Sequence, residues 1–155
     1  MELADILAER AVLFCTDITA KRQLFETLAV RAAALTGHPQ AEILEAITSR
    51  EALGSTGLGN GIAIPHGKLG GLGSVTALFA RLDQPIDFDA VDDQPVDLVV
   101  MLLAPTGAGA DHLKALSRVA RLLRTESVVD ALRATADPVG LYAILTAPLP
   151  VTYAA

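Results

Sequence analysis

The sequence predicts an α/β fold, a three-layer α/β/α sandwich in which helices flank a mixed central β-sheet. Three observations lead there. Apolar residues recur at helical spacing towards both ends of the chain, β-type apolar runs occupy its middle, and glycine clusters punctuate the strand-rich part. With 155 residues and no repeat, low-complexity tract or linker, one domain spanning residues 1–155 is expected.

Taken in order, Leu3 to Ala8 is compatible with a short helix, and Ala11 to Cys15 with a short strand stopped by Thr16 and Asp17. Leu24, Phe25, Leu28, Ala32 and Leu35 then mark a helix, with Thr19 placed to cap it and Gly37 to end it. Pro39 suits a first helical turn, and Ile43, Leu44 and Ile47 carry a second helix to about Glu51. Gly54 to Gly61 holds four glycines in eight residues and reads as a loop. Ile62 to Pro65 reads as a short apolar strand ending at His66-Gly67, before a second glycine cluster at Gly70 to Gly73.

Val75 to Leu82 and Val96 to Ala104 are β-type runs, the second nearly all apolar like a central strand, with Pro105 after it. Asp83 to Gln94 between them suggests irregular structure or short edge pairing. Asp111 is placed to cap a helix bearing Leu113, Leu116, Ala120 and Leu123, which puts His112 in its first turn. Further helices fit Glu126 to Ala134 and Pro138 to Leu145, the latter with Asp137 as its cap.

Composition excludes several classes. A chain that is 52% hydrophobic is not disordered, and no apolar run approaches the ~20 residues of a spanning helix. The start, with Glu2, Asp5 and Glu9, lacks the pattern of a signal peptide, so a cytoplasmic location is expected. A net charge of −6 disfavours nucleic acid and anionic membranes at long range and favours basic protein partners. Cys15, the only cysteine, reads as a buried free thiol.

The chemistry-bearing residues cluster around the first glycine loop. Imidazole is a good phosphoryl acceptor, because its neutral form has a nucleophilic nitrogen near pH 7 and its N–P bond remains reactive enough to pass the group on. His66 sits between two loops, and Gly54 to Gly61 offers clustered backbone N–H groups with the hydroxyls of Ser55 and Thr56. His112 at a helix start adds a second imidazole, its pKa lowered by the helix dipole, and Arg50 adds a permanent positive charge. On spacing alone the more ordinary reading is a tight turn with a structural histidine.

Competing readings of the same residues are weaker. Cys15, His38, His66 and His112 lack the paired spacing of a zinc site, and Asp83, Asp87, Asp89, Asp92 and Asp93 lack an EF-hand pattern. No metal is expected. Arg118, Arg121 and Arg124 share one helix face, serving either the helix C-terminus or an acidic protein surface.

The segment Arg50-Glu-Ala-Leu-Gly-Ser-Thr-Gly-Leu-Gly-Asn-Gly-Ile-Ala-Ile-Pro-His-Gly-Lys68 closely resembles the active-site segment of mannitol/fructose-type (type 2) enzyme IIA domains of the bacterial phosphotransferase system. Pro85 to Leu98 and His112 to Ala120 are similar to the nitrogen-regulatory branch of that family. The likeness runs over residues 19–145 and leaves Met1 to Thr16 and Ala147 to Ala155 unmatched. It implies that His66 is the phosphorylated residue, that His112 and Arg50 share its site, and that no cofactor is needed. Asn60 stands where sugar-specific members commonly carry an acid, which points to regulation.

The resemblance thus implies a regulatory phosphocarrier, a phosphotransferase acting as a stoichiometric intermediate. It would accept its group from an HPr-like phosphohistidine donor, with Arg50, Ser55, Thr56 and Asn60 at the phosphoryl site. Its targets would be proteins such as potassium-transport components or sensor kinases. Alternatives are a sugar-specific enzyme IIA passing phosphate to a IIB component, and a partner-binding domain of the same fold that is not phosphorylated.

Overall fold

The computed structural model describes residues 1–149, so residues 150–155 of the expected domain lie outside the described residues. Its centre is a mixed sheet, and the pairing explains why the middle of the chain is so apolar. Strands β5 (Thr76–Ile86) and β6 (Val96–Pro105) run antiparallel, with Leu78 opposite Met101 and Ala80 opposite Val99. Every residue of β6 from Leu98 to Ala104 is buried, as a central strand covered on both faces must be.

Strand β1 (Leu7–Cys15) adds parallel to the far side of β5. On the other side, β3 (Ile62–Ala63) and β4 (His66–Leu69) lie in succession, both parallel to β6, and β2 (Gly57–Gly59) pairs antiparallel with β3. The order is β1-β5-β6-β3-β2, with β4 also on β6. Helices α1 (Lys21–Thr36) and α2 (Gln40–Ala52) pack on each other, α1 against β1 and β5 and α2 against β4. Helix α3 (Gly109–Leu123) packs on β6, and α5 (Pro138–Thr146) on β1. Helix α4 (Glu126–Arg133) joins α3 to α5, and together these three make the second helical layer. The expected mixed sheet flanked by helices is what forms.

Several element boundaries differ from expectation for local reasons. Only Leu3–Asp5 of the expected first helix forms, as one 3₁₀ turn held by Glu2 N–H donating to Asp5 Oδ2 at 2.8 Å. The chain then enters β1 at Leu7, because Leu7, Ala11 and Val12 bury into the core. Thr19 does not cap α1. Ala20 occupies the cap position, while Thr19 donates its N–H (2.9 Å) and hydroxyl (3.2 Å) to Gln23 Oε1. Gly37 does end α1, in the left-handed conformation at φ 78°, its N–H donating to Ala33 O.

Pro39 precedes α2 rather than lying in its first turn. Helix α3 starts at Gly109, two residues before Asp111, which sits in its first turn without capping it. Asp137 caps α5 as expected, accepting from Gly140 N at 3.2 Å. The acidic stretch after Leu82 is more ordered than its composition suggests. Strand β5 continues to Ile86, which faces Val96, and Phe88 is fully buried.

Candidate functional site

The site begins with a break in the strand alongside β6. Leu102 N–H donates to Pro65 O at 2.9 Å, and His66 opens β4 opposite Leu102. Proline at position 65 removes one ladder donor, so β3 and β4 remain separate strands. At this break the half-buried His66 ring folds back on its own chain, with Nδ1 2.8 Å from Ile64 O. A carbonyl oxygen only accepts, so Nδ1 must carry the proton. In the neutral ring Nε2 is then the bare, nucleophilic nitrogen.

His112 stands against it. The ring centroids are 5.4 Å apart with an interplanar angle of 78°. His112 is only 7% exposed, and its Nε2 is buried without a hydrogen-bond partner. An unmet buried polar atom costs about 1–3 kcal/mol, and here it borders the imidazole with a free nitrogen. Burial pushes the His112 pKa below its ordinary 6.5, and the charges of His66 and Lys68 push the same way. The direction matches expectation, but burial rather than the helix dipole leads. Its backbone N–H is already bonded to Ala108 O at 2.9 Å, so it is the side chain that is unsatisfied.

Arg50 lies on α2, the helix that packs against β4. Gly67, next to His66, lies so close to this helix that a Cβ there would be 3.2 Å from the carbonyl carbon and oxygen of Ala46. Arg50 follows Ala46 by one helical turn. Its Nη1 donates to Gly54 O at 2.9 Å, which holds the guanidinium over the start of the glycine loop.

The loop itself is a scaffold more than an open cradle. Thr56 Oγ1 donates to Glu51 Oε1 at 2.5 Å, and Thr56 N–H to Glu51 Oε2 at 3.0 Å. Ser55 Oγ donates to Phe88 O at 3.2 Å and accepts from Gly57 N–H at 3.1 Å. Both hydroxyls expected to face a phosphoryl group are therefore engaged within the loop. The rest of Gly54 to Gly61, expected as loop, is a tight hairpin: β2 and β3 are joined through Asn60 (φ 57°) and Gly61 (φ 80°), the two positive φ values of a type I′ turn.

Asn60 is not brought to His66. Ile62 pairs with Leu98 and His66 with Leu102, four residues further along β6 and so ~13 Å away at the usual strand rise. Asn60 lies beyond Ile62, its N–H bonded to Asp92 Oδ2 (3.0 Å) and its carbonyl to Arg133 Nη2 (2.6 Å). The N–H of Asn60 is the leading cause of a lowered Asp92 pKa. Arg133 also grips Asp97 through Nε and Nη2, at 3.1 and 2.9 Å.

Three groups beneath the loop carry no signal in spacing alone. Glu51, its side chain 6% exposed, joins Lys21 Nζ at 2.9 Å. That ammonium also lies 4.3 Å from the centroid of the Phe88 ring, which meets Phe25 edge-on at 5.9 Å. An acid directly beside Arg50, just before a glycine-rich loop, was the one available hint. Among the described residues no group of three or more His, Cys, Asp or Glu is placed to hold a metal ion. Arg118, from the basic helix face, pairs with Glu2 at 2.6 Å.

Comparison with known proteins gives this geometry a lineage. Residues 5–147 match the family model described as "Phosphoenolpyruvate-dependent sugar phosphotransferase system, EIIA 2". The chain is 50% identical over 148 residues to the nitrogen regulatory protein of Bradyrhizobium diazoefficiens, covering 96% of this chain and 97% of that one. It is 40% identical over 148 residues to the nitrogen regulatory protein of Escherichia coli, covering 94% and 90%. Among solved structures, nitrogen regulatory protein IIA-Ntr from Neisseria meningitidis superposes with a TM-score of 0.87 at 35% identity, covering 93% of this chain and 99% of that one. The Escherichia coli mannitol IIA shares the fold at a TM-score of 0.74 and 20% identity, covering 89% and 97%.

Proposed function

The chain belongs to the EIIA type 2 family of the phosphoenolpyruvate-dependent sugar phosphotransferase system, and from that premise we propose that it is a cytoplasmic, single-domain regulatory phosphocarrier that accepts a phosphoryl group on His66 Nε2. One observation carries the choice of atom: the Nδ1 proton is committed to Ile64 O, which leaves the Nε2 lone pair free. The donor is an HPr-like protein. As its N–P bond breaks, Nε2 forms the new bond to phosphorus, the donor imidazole leaves with the electron pair, and His66 keeps its Nδ1 proton.

His112 contributes by offering its unpartnered Nε2 to a phosphoryl oxygen as an N–H donor. Its lowered pKa keeps the ring neutral, so it stabilises the group without trapping it as an ion pair. Arg50 supplies fixed positive charge by exchanging the Gly54 carbonyl for a phosphoryl oxygen. Ser55 and Thr56 hold the loop in the shape the group needs, and Asn60 anchors the hairpin. The similarity to nitrogen regulatory proteins supports control of target proteins by phosphorylation state, with potassium-transport components and sensor kinases as the class of target.

The test is incubation with enzyme I, an HPr-type donor and phosphoenolpyruvate. The wild-type chain takes up one acid-labile phosphoryl group, and His66→Ala takes up none. Undiminished labelling of His66→Ala ends this reading, and fast onward transfer to a IIB domain replaces regulation with sugar uptake.

A further inference from the structure

A carboxylate buried to the depth of Glu51 is costly unless its partners repay the desolvation. Here they do more than that, because they lie on a continuous path to the reacting imidazole. Lys21 Nζ meets Glu51 Oε2 at 2.9 Å, and both carboxylate oxygens are taken by one residue, Thr56, through its N–H and its hydroxyl. Two bonds from a single residue to a single carboxylate fix that residue in position and orientation. The Thr56 carbonyl in turn accepts Ile64 N–H at 3.1 Å, and the Ile64 carbonyl is the acceptor for His66 Nδ1.

We propose that Glu51 is a positioning residue for phosphoryl transfer: by fixing Thr56 it holds the backbone of Ile64 through its N–H, steadies the Ile64 carbonyl on the next peptide, and so keeps His66 in the Nδ1-protonated tautomer with Nε2 presented to the donor. The inference rests on the reading of His66 as the acceptor. Its logic is that of a metal or triad histidine, whose second ring nitrogen is held so that the first can act. A histidine ring without such an acceptor populates both neutral tautomers, and only the Nδ1-protonated one presents a bare Nε2. Glu51 touches neither ring and acts only through the path just described.

The experiment pairs a spectroscopic signature with a rate. Ring ¹⁵N shifts of His66 are recorded at a pH where the ring is neutral, and phosphorylation is followed in single turnover with an HPr-type donor. Wild type is expected to show a protonated Nδ1 and a bare Nε2. Glu51→Ala is expected to show mixed tautomers and a rate lower by ~10-fold at unchanged donor KM. Combining it with Thr56→Val should add nothing further, because the effect runs through Thr56. Arg133→Met, whose ion pair with Asp97 lies away from this path, is the control for simple destabilisation: its melting temperature falls while the His66 shifts stay those of wild type.

If Glu51→Ala fails to fold, Glu51→Gln is read in the same way. Its amide nitrogen only donates and its charge is gone, so the two-oxygen grip on the Thr56 N–H and hydroxyl weakens without vanishing, and intermediate shifts are expected. Wild-type His66 shifts and rate in the folded variant overturn the proposal. A tautomer change in Glu51→Ala with no phosphorylation of wild type upholds the positioning and ends the acceptor reading instead.

Discussion

Phe88→Leu should lower stability by about 2–3 kcal/mol. The ring is fully buried, meets Phe25 edge-on at 5.9 Å and an interplanar angle of 76°, and lies 4.3 Å beneath the Lys21 ammonium. Leucine keeps much of the apolar volume, so the loss divides into three parts. The edge-on aromatic pair is worth ~0.5–1.5 kcal/mol beyond its area. The ammonium on the ring face is worth ~1 kcal/mol for a lysine that is largely but not wholly buried. Shape mismatch in a packed core adds up to ~1 kcal/mol. At roughly 2–4 °C per kcal/mol for a chain of this size, the midpoint of thermal unfolding should fall by about 5–10 °C. Urea unfolding followed by circular dichroism measures the free energy. The cycle with Phe25→Leu isolates the pair, with an expected coupling of about 0.5–1.5 kcal/mol. A single-variant loss under ~0.5 kcal/mol, or a coupling indistinguishable from zero, would refute the claim that this ring anchors the underside of the loop.

Three further outcomes are expected. Because the folded-state pKa of His112 lies below its ordinary 6.5, the unfolded chain binds the extra proton first, and stability falls as pH drops from above that value through the lower folded pKa. His112→Gln should therefore lose less stability than wild type between pH 7.5 and pH 5.5, and an identical slope would contradict the assignment. Arg133→Met, which releases Asp97 and the Asn60 carbonyl, should cost about 1–2 kcal/mol, discounted because the guanidinium is partly exposed. It should leave phosphorylation of His66 intact, as labelling will check. Gly67→Ala must push α2 outward by a few tenths of an ångström, since the new methyl meets backbone rather than a flexible side chain. Slower phosphorylation with an unchanged circular-dichroism spectrum is expected, and an unaltered rate would show that Arg50 placement tolerates the shift.

Legibility in the sequence followed the range of the forces involved. Helix α1 was readable because its buried positions Leu24, Phe25, Leu28 and Ala32 repeat at the helical period, and β6 because burial on both faces demands an unbroken apolar run. The hairpin within the glycine loop was hidden, although Asn60-Gly61 is a strong turn signal, because four glycines made the whole segment look irregular. Phe88 was masked by the acids around it, and its burial depends on Phe25 and Lys21, which lie far away in sequence. At the candidate site, the two histidines that the structure brings together, His66 and His112, stood out by residue type. The direction of the Ser55 and Thr56 hydroxyls was not legible, since it is decided by Glu51 and the Phe88 carbonyl, and Asn60 was displaced by a register that only pairing with β6 sets.

Among the described residues three strands have an unpaired edge, β1, β2 and the four-residue β4, and the two that end the strand order do not invite a neighbour. In β1, Leu7 faces Ala77 and Val12 faces Phe79, so three extra residues are accommodated opposite β5, and Glu9 and Arg10 stand exposed on the distortion. At the opposite border β2 offers three residues, two of them glycine. A second chain docking edge to edge would meet a kinked, charged rim on one side and almost no ladder on the other. Continued stacking of subunits through backbone hydrogen bonds is thereby discouraged at both ends of the strand order.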